Sequence, residues 1–117
     1  MDNNILDLYA KRHSFYSITN DCPLTAEEIE NLVQKSLELY LSPFNSQSAR
    51  VMVLFGKNHK NLWDITQTEL LKAAPEEKAQ AISDKIASFA RGHGTILYFT
   101  DTAVTQALQN KFPLYAA

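Results

Sequence analysis

Apolar residues recur three or four positions apart in five segments of the chain, and in two shorter segments they follow one another without a break. The first spacing is typical of an α-helix with one buried face, whereas a short unbroken run rich in β-formers is typical of a buried strand. The pattern therefore predicts the order helix, helix, strand, helix, helix, strand, helix. The first helix carries Ile5, Leu8 and Tyr9 on one side, and Asn3 or Asn4 can cap it.

Capping residues mark where the later helices begin. Thr25 followed three positions later by Glu28 matches a capping box, in which each side chain accepts a hydrogen bond from the other residue's backbone amide. We expect Asn58 and Asp101 to cap the third and fifth helices, and Pro75 to open the fourth at its first position.

The two predicted strands, residues 50–56 and 94–100, are apolar over most of their length. Strands buried on both faces occur inside α/β sheets, so a parallel pair flanked by helices is the expectation. Two strands are too few to close a domain of that class. Either the helices form most of the core, or the chain is part of something larger. The apolar residues 113–117 favour a missing continuation, supplied by further chain or by a partner.

Composition indicates a single domain, residues 1–117, of which 45% are apolar. The net charge of −2 leaves no basic field for nucleic acid or an anionic membrane, so we expect neither partner. The single cysteine, Cys22, excludes an internal disulfide, and no Cys/His spacing suggests a zinc site. The sequence begins without a leader pattern and has no membrane-spanning run, so a cytoplasmic location is expected.

Ser, Asn and Gln are concentrated in the connection between the second helix and the first strand, residues 41–50. Their side chains offer many hydrogen-bond donors and acceptors, and Pro43 restricts the backbone. This segment is a candidate binding loop, although an ordinary polar connector accounts equally well for its composition. A second cluster, Lys11-Arg12-His13-Ser14, follows the first helix, where cations also complement the helix dipole.

Two aromatic residues of the third helix are expected to have structural roles only. His59 falls in the first turn, where an exposed histidine is the simplest interpretation. Trp63 lies on the apolar face, and its indole N–H needs a hydrogen-bond partner if the ring is buried.

Six motifs occur in a fixed order and cover nearly the whole chain. They are Arg12-His13-Ser14, Ser42-Pro43-Phe44-Asn45-Ser46-Gln47, the strand at 50–56, His59-Lys60-Asn61-Leu62-Trp63-Asp64, Gly94-Thr95-Ile96-Leu97-Tyr98-Phe99 and Phe112-Pro113-Leu114-Tyr115. As an ordered set they resemble the amino-terminal half of the nitroreductase family, and most closely its small members grouped with fungal homologues of the bacterial enzymes.

The resemblance implies an α+β fold with helices around a mixed sheet, and a homodimer that binds FMN at the subunit interface. It also implies an oxidoreductase that passes electrons from NAD(P)H to a small nitroaromatic or quinone-like acceptor by a ping-pong mechanism. The cofactor carries such chemistry, so no catalytic side chain is required.

The resemblance also assigns the cofactor-binding residues. Arg12 and Ser14 are expected to bind the flavin phosphate, with His13 between them. Tyr16 stands where some relatives have a basic residue that reaches the polar edge of the flavin ring, so the chain departs from the family there. The loop containing Ser42, Pro43, Asn45 and Gln47 is expected to lie over the flavin of the neighbouring subunit, with Ser42 and Asn45 in contact and Gln47 bracing the loop.

Relatives in this family extend well beyond 117 residues, and we expect the chain taken alone to bind FMN weakly. Two other interpretations remain open. One is a truncated, flavin-free remnant that acts as an interaction or structural protein. The other is an unrelated helical interaction domain in which the polar segment is only a connector.

Overall fold

The computed structural model describes residues 4–114, apart from the side chain of Pro43. Asn3, considered above as a helix cap, and the apolar residues 115–117 lie outside this range. The longer elements, in chain order, are α1 (Asn4–Lys11), α2 (Ala26–Leu39), β1 (Ala49–Phe55), α3 (Gly56–Ala73), α4 (Ala79–Ala90), β2 (Gly94–Thr100) and α5 (Thr102–Lys111). Short 3₁₀ turns occupy Pro43–Asn45 and Glu76–Lys78. The predicted order of helices and strands is confirmed.

Two of the predicted helix caps are present. The Thr25 hydroxyl accepts from the Glu28 amide at 3.1 Å, and the Glu28 carboxylate accepts from the Thr25 amide at 3.2 Å. The Asp101 carboxylate accepts from the Ala103 amide at 3.1 Å and so caps α5. Such caps satisfy amides that have no partner inside the helix, which is why local sequence alone reveals them.

Two helix starts differ from the sequence prediction. Asn58 does not cap α3, because the helix begins directly after β1 at Gly56, whose φ of 52° turns the chain from strand to helix without a linker. Pro75 does not occupy the first position of α4. It precedes the 3₁₀ turn Glu76–Lys78, and α4 begins only at Ala79.

The two strands pair antiparallel, with Ala49 opposite Thr100 and Phe55 opposite Gly94. The expectation of a parallel pair was therefore wrong. Two packed helices, α3 and α4, separate the strands, and the second returns the chain to the end of the sheet at which β1 finished. A single crossover helix would have favoured a parallel pair.

The core lies where α3 and α4 pack against each other and against the sheet. Ile86 of α4 is 6% exposed, and within residues 4–114 it is the large apolar side chain that is most fully buried. Many other large apolar side chains on α1, on α2 and on β2 remain more than one third exposed. The fold class is α+β, as expected.

The chain has far more surface than a closed monomer of its size. Its accessible area is 9660 Å², whereas a folded protein of 13.2 kDa is expected to expose about 6400 Å². Its radius of gyration is 18.1 Å, against about 13 Å for a compact domain of this length. The excess of roughly 3000 Å² is surface that a closed domain of this mass would bury.

Candidate functional site

The polar loop, which we define as residues 42–48, has a backbone conformation that its residues rarely adopt. Phe44, Asn45 and Gln47 have φ angles of 55°, 51° and 50°. This left-handed region costs about 1–2 kcal/mol for a residue with a Cβ. Strain of this kind persists only where the surroundings hold it, and it is concentrated at ligand-binding sites.

Hydrogen bonds within the polar loop converge on Ser42. Its carbonyl accepts from the Asn45 amide at 3.0 Å, and its hydroxyl oxygen accepts from the Gln47 amide at 3.1 Å. Gln47 thus braces the loop through its backbone, while its side chain is exposed. The Ser46 hydroxyl oxygen is buried and has no hydrogen-bond partner among residues 4–114. The loop therefore contains a hydroxyl group that could still hydrogen-bond a ligand.

A charged pair outside the loop fixes its far end. The Arg50 guanidinium donates to the Gln47 carbonyl at 2.7 Å and to the Ala49 carbonyl at 3.0 Å, and it forms an ion pair with Asp101 at 3.1 Å. The Asp101 amide donates to the Ser48 carbonyl at 2.7 Å. Sequence analysis assigned Asp101 only a capping role and Arg50 none. The distance of fifty-one residues between them hides the pair from any local pattern.

The polar loop forms one wall of a cleft of about 370 Å³ against the end of α2. The lining residues are Gln34, Leu37, Glu38, Tyr40, Ser42, Asn45, Gln47 and Ala49. Three of the predicted site residues, Ser42, Asn45 and Gln47, are therefore brought together, and the backbone of Pro43 belongs to the same turn. Glu38 is the one acidic side chain in the lining, and it pairs with Lys35 at 3.6 Å.

The basic cluster after α1 lies in a different place. Arg12, His13, Ser14 and Tyr16 are all exposed. The Arg12 amide ends the helix by donating to the Leu8 carbonyl at 3.1 Å. Its guanidinium makes no ion pair with any residue between positions 4 and 114.

Arg12 lines a second cleft of about 360 Å³ together with Ile5, Leu8 and Tyr9. No residue of the polar loop lines this cleft. Within a single chain the described residues therefore do not bring the basic cluster and the polar loop into one cleft.

The chemistry of these two groups fits FMN. A phosphate requires cationic and hydroxyl donors, and Arg12 and Ser14 present both in the open. The flavin ring and ribityl chain are uncharged and need amide and hydroxyl partners, which Ser42, Asn45 and Gln47 offer. Glu38 in the loop's cleft disfavours a phosphate there. The basic cluster thus suits the phosphate of FMN, and the polar loop suits its ring and ribityl chain.

His59 is buried and not exposed, so the expectation for it was wrong. It is 3% exposed, with Nδ1 2.7 Å from the Thr95 hydroxyl and Nε2 3.0 Å from the Ala90 carbonyl. The carbonyl can only accept, so Nε2 carries the proton and the Thr95 hydroxyl donates to Nδ1. Thr95 in turn accepts from the Trp63 indole at 2.9 Å, which confirms that Trp63 has a partner. This network ties α3 to α4 and β2.

A larger cleft, of about 780 Å³, lies at the end of β1 away from the polar loop and contains none of the predicted site residues. Between residues 4 and 114 no group of three or more His, Cys, Asp or Glu side chains is arranged to hold a metal ion. None of the helices in that range is both long enough and apolar enough to cross a membrane.

Comparison with known proteins identifies relatives that cover almost all of the chain. No protein-family profile matches it. HBN1 of Saccharomyces cerevisiae, which is described as a nitroreductase, is 30% identical to this chain over 108 residues. The match covers 91% of this chain and 53% of HBN1. The nitroreductase FRM2 of the same yeast is 26% identical over 116 residues, 97% of this chain and 57% of FRM2. The chain spans about half the length of these curated relatives.

Solved structures agree with the sequence relatives. Nitroreductase CinD from Lactococcus lactis in complex with chloramphenicol has a TM-score of 0.78 and 31% identity, covering 97% of this chain and 56% of CinD. A nitroreductase from Saccharomyces cerevisiae has a TM-score of 0.80 and 27% identity, covering all of this chain and 64% of that one. The resemblance to the nitroreductase family and its fold is confirmed, and the coverage is consistent with an amino-terminal part of it.

Proposed function

We propose that this chain supplies the flavin-holding elements of a nitroreductase-like oxidoreductase that uses FMN to pass electrons from NAD(P)H to nitroaromatic or quinone-like acceptors. The observation that carries the proposal is the match of nearly the whole chain, in sequence and in fold, to nitroreductases. The strained polar loop supports it independently, and so does the exposed Arg12, which has no ion pair among residues 4–114.

The basic cluster is assigned to the flavin phosphate. Arg12 donates charge-assisted hydrogen bonds to phosphate oxygens, and the Ser14 hydroxyl adds a neutral one. His13 is held against the end of α1 by a 3.0 Å contact between Nδ1 and the Lys11 carbonyl, which positions it beside the same group. Tyr16 presents one hydroxyl toward the edge of the flavin ring, a weaker contact than a cation provides.

The polar loop is assigned to the ring and the ribityl chain. Asn45 contributes an amide that can both donate and accept, and its exposed side chain is free to do so. Ser42 retains its hydroxyl proton for a ligand, because the Gln47 amide occupies only an acceptor position of that oxygen. Pro43 and Gln47 keep the turn in the conformation that presents Asn45.

A homodimer assembles the complete site. The basic cluster and the polar loop line separate clefts of one chain, so a partner has to bring the second half of each site. The apolar face of α1 supports this arrangement, since Ile5, Leu8 and Tyr9 are 69%, 63% and 74% exposed. Covering such a face is the usual source of stability in obligate dimers.

When bound, FMN supplies the redox chemistry, taking reducing equivalents from NAD(P)H and releasing them to an acceptor in ping-pong order. The residues of the chain bind the flavin, orient it and enclose it. The similar CinD binds chloramphenicol and 4-nitrophenol, which are nitroaromatic, and also nicotinic acid. Nitroaromatic compounds like the first two are the acceptors that we assign to this chain.

Flavin binding and turnover test the proposal. FMN is titrated with the purified chain while flavin fluorescence is followed, and NADH or NADPH oxidation is then measured with chloramphenicol as acceptor. We expect binding that is weak but saturable, with one FMN per chain at saturation, and oxidation that requires both FMN and acceptor. A chain that neither binds FMN nor oxidises either nucleotide contradicts the proposal.

A flavin-free interaction protein is the second candidate, favoured by the large exposed apolar surface. Analytical ultracentrifugation separates it from the first. A stable dimer with no affinity for FMN supports this second function, whereas FMN-dependent nucleotide oxidation excludes it.

A further inference from the structure

The polar loop needs support from outside itself, because three of its residues have left-handed backbone angles. Within the loop, Ser42 accepts hydrogen bonds from the Asn45 and Gln47 amides. These bonds close the turn at its beginning but leave the carbonyl groups of Gln47 and Ser48 to find other partners.

Arg50 and Asp101 supply those partners. The Gln47 carbonyl accepts from the Arg50 guanidinium at 2.7 Å, and the Ser48 carbonyl accepts from the Asp101 amide at 2.7 Å. The Arg50–Asp101 ion pair, at 3.1 Å, closes the arrangement into a ring of contacts. The last two loop residues are thus held at one end of the sheet, by Arg50 of β1 and by Asp101, which directly follows β2.

We propose that Arg50 and Asp101 are a positioning pair which sets the conformation of the polar loop and thereby its affinity for the ligand it contacts. The proposal rests on the assignment of the polar loop to FMN for its ligand, but the effect on the loop itself does not depend on that assignment. Neither residue lines the loop's cleft, so both act through the loop.

Position 50 requires an arginine because its side chain donates to three acceptors in different directions. One guanidinium nitrogen reaches the carbonyls of Gln47 and Ala49, and the other reaches the Asp101 carboxylate. The planar guanidinium holds these donors at fixed angles, whereas a lysine ammonium is a single flexible point charge. Arg50→Lys therefore keeps the positive charge and loses the pair of donor nitrogens held at fixed angles.

Asp101 also joins the loop to α5. One carboxylate oxygen accepts from the Ala103 amide to cap the helix, while the other accepts from Arg50. Asn caps helices about as well as Asp. Asp101→Asn therefore preserves the cap and removes the charge, so that its effect reports on the pair and not on α5.

The first test follows the loop without flavin. Amide hydrogen exchange of Gln47 is measured in the FMN-free chain for the wild type, Arg50→Lys and Asp101→Asn. We expect exchange at Gln47 to rise about fivefold in both variants, since the exposed pair is worth about 1 kcal/mol. Glu69→Gln is the matched control, because it breaks an exposed ion pair with Lys72 of 2.9 Å that lies on α3. The control should leave Gln47 unchanged.

The second test follows the ligand. The dissociation constant for FMN should rise about fivefold in each variant, no further in the double variant, and not at all in Glu69→Gln. The midpoint of urea unfolding should fall only slightly, because global unfolding breaks the same exposed pair as opening of the loop does. Unchanged exchange at Gln47 in both variants overturns the positioning role. Faster exchange in the two variants, together with a wild-type chain that binds no FMN, upholds the positioning role and contradicts the proposed function instead.

Discussion

Replacing Thr95 by Val should destabilise the chain by removing one hydroxyl group that two side chains share. The Thr95 hydroxyl is the shared partner of two aromatic side chains, His59 Nδ1 at 2.7 Å and Trp63 Nε1 at 2.9 Å. Valine has nearly the shape of threonine, so packing is conserved while both hydrogen bonds are lost. The variant therefore isolates the polar contribution.

The expected magnitude follows from the burial of the groups left without partners. His59 is 3% exposed, so water cannot replace the hydroxyl at its ring. Each unsatisfied buried group costs about 1–3 kcal/mol, and Trp63 is partly exposed, so its share lies at the low end. We expect Thr95→Val to lower the free energy of unfolding by about 2–4 kcal/mol, a large part of the 5–15 kcal/mol typical of a domain.

Urea unfolding measures this effect, with fluorescence of the single tryptophan, Trp63, and far-UV circular dichroism as probes. Thr95→Ser is the control, because it keeps the hydroxyl and removes one methyl group, worth about 0.8 kcal/mol. A Thr95→Val chain as stable as Thr95→Ser would refute the view that the hydroxyl anchors α3 to β2.

Three further predictions concern a glycine, a cap and the basic cluster. Gly94→Ala should cost about 2 kcal/mol by urea unfolding, because its Cβ would lie 2.7 Å from the Leu54 carbonyl oxygen. Gly92→Ala should cost less, since the closest atom is the end of the flexible Ile18 side chain at 2.9 Å; equal losses would contradict the argument. Thr25→Ala should lower stability by about 1 kcal/mol through loss of the capping box, whereas Thr25→Ser should not. Arg12→Ala should weaken FMN binding by about tenfold or more at unchanged stability, because a charge-assisted bond to phosphate is lost. Lys11→Ala, one residue away, is the control, and an equal effect of both variants would point to general charge attraction.

Local signals were the part of the fold that the sequence predicted well. The capping box at Thr25 and the cap at Asp101 are contained within three or four residues. The hydrogen bonds of each cap therefore join the same few residues whose types predict it. The strand direction was not local. It depends on how α3 and α4 pack between the strands, and a run of apolar residues carries no information about that.

The burial of His59 was missed for a related reason. A histidine in the first turn of a helix is ordinarily exposed, and only the approach of α4 and β2 encloses this one. The Thr95 hydroxyl inside an otherwise apolar strand was the available signal, since a polar group at such a position needs a partner.

The sequence predicted which polar residues form the candidate site, but not the backbone conformation of the loop or the ion pair that holds it. The polar residues of the loop were evident, yet Phe44 and Gln47 are not residue types that suggest left-handed backbone angles. The Arg50–Asp101 pair was not predicted because it joins positions that are distant in sequence and near only once β1 and β2 pair.

The central claim is that the basic cluster of one subunit and the polar loop of another bind one FMN together, and complementation tests it directly. Arg12→Ala and Asn45→Asp chains, each deficient in FMN binding, are mixed under conditions that allow subunit exchange, and FMN is titrated. Random pairing should restore about a quarter of the sites, because each mixed dimer contains one site with both native residues. No recovery of binding in the mixture, with mixed dimers present, would contradict the claim.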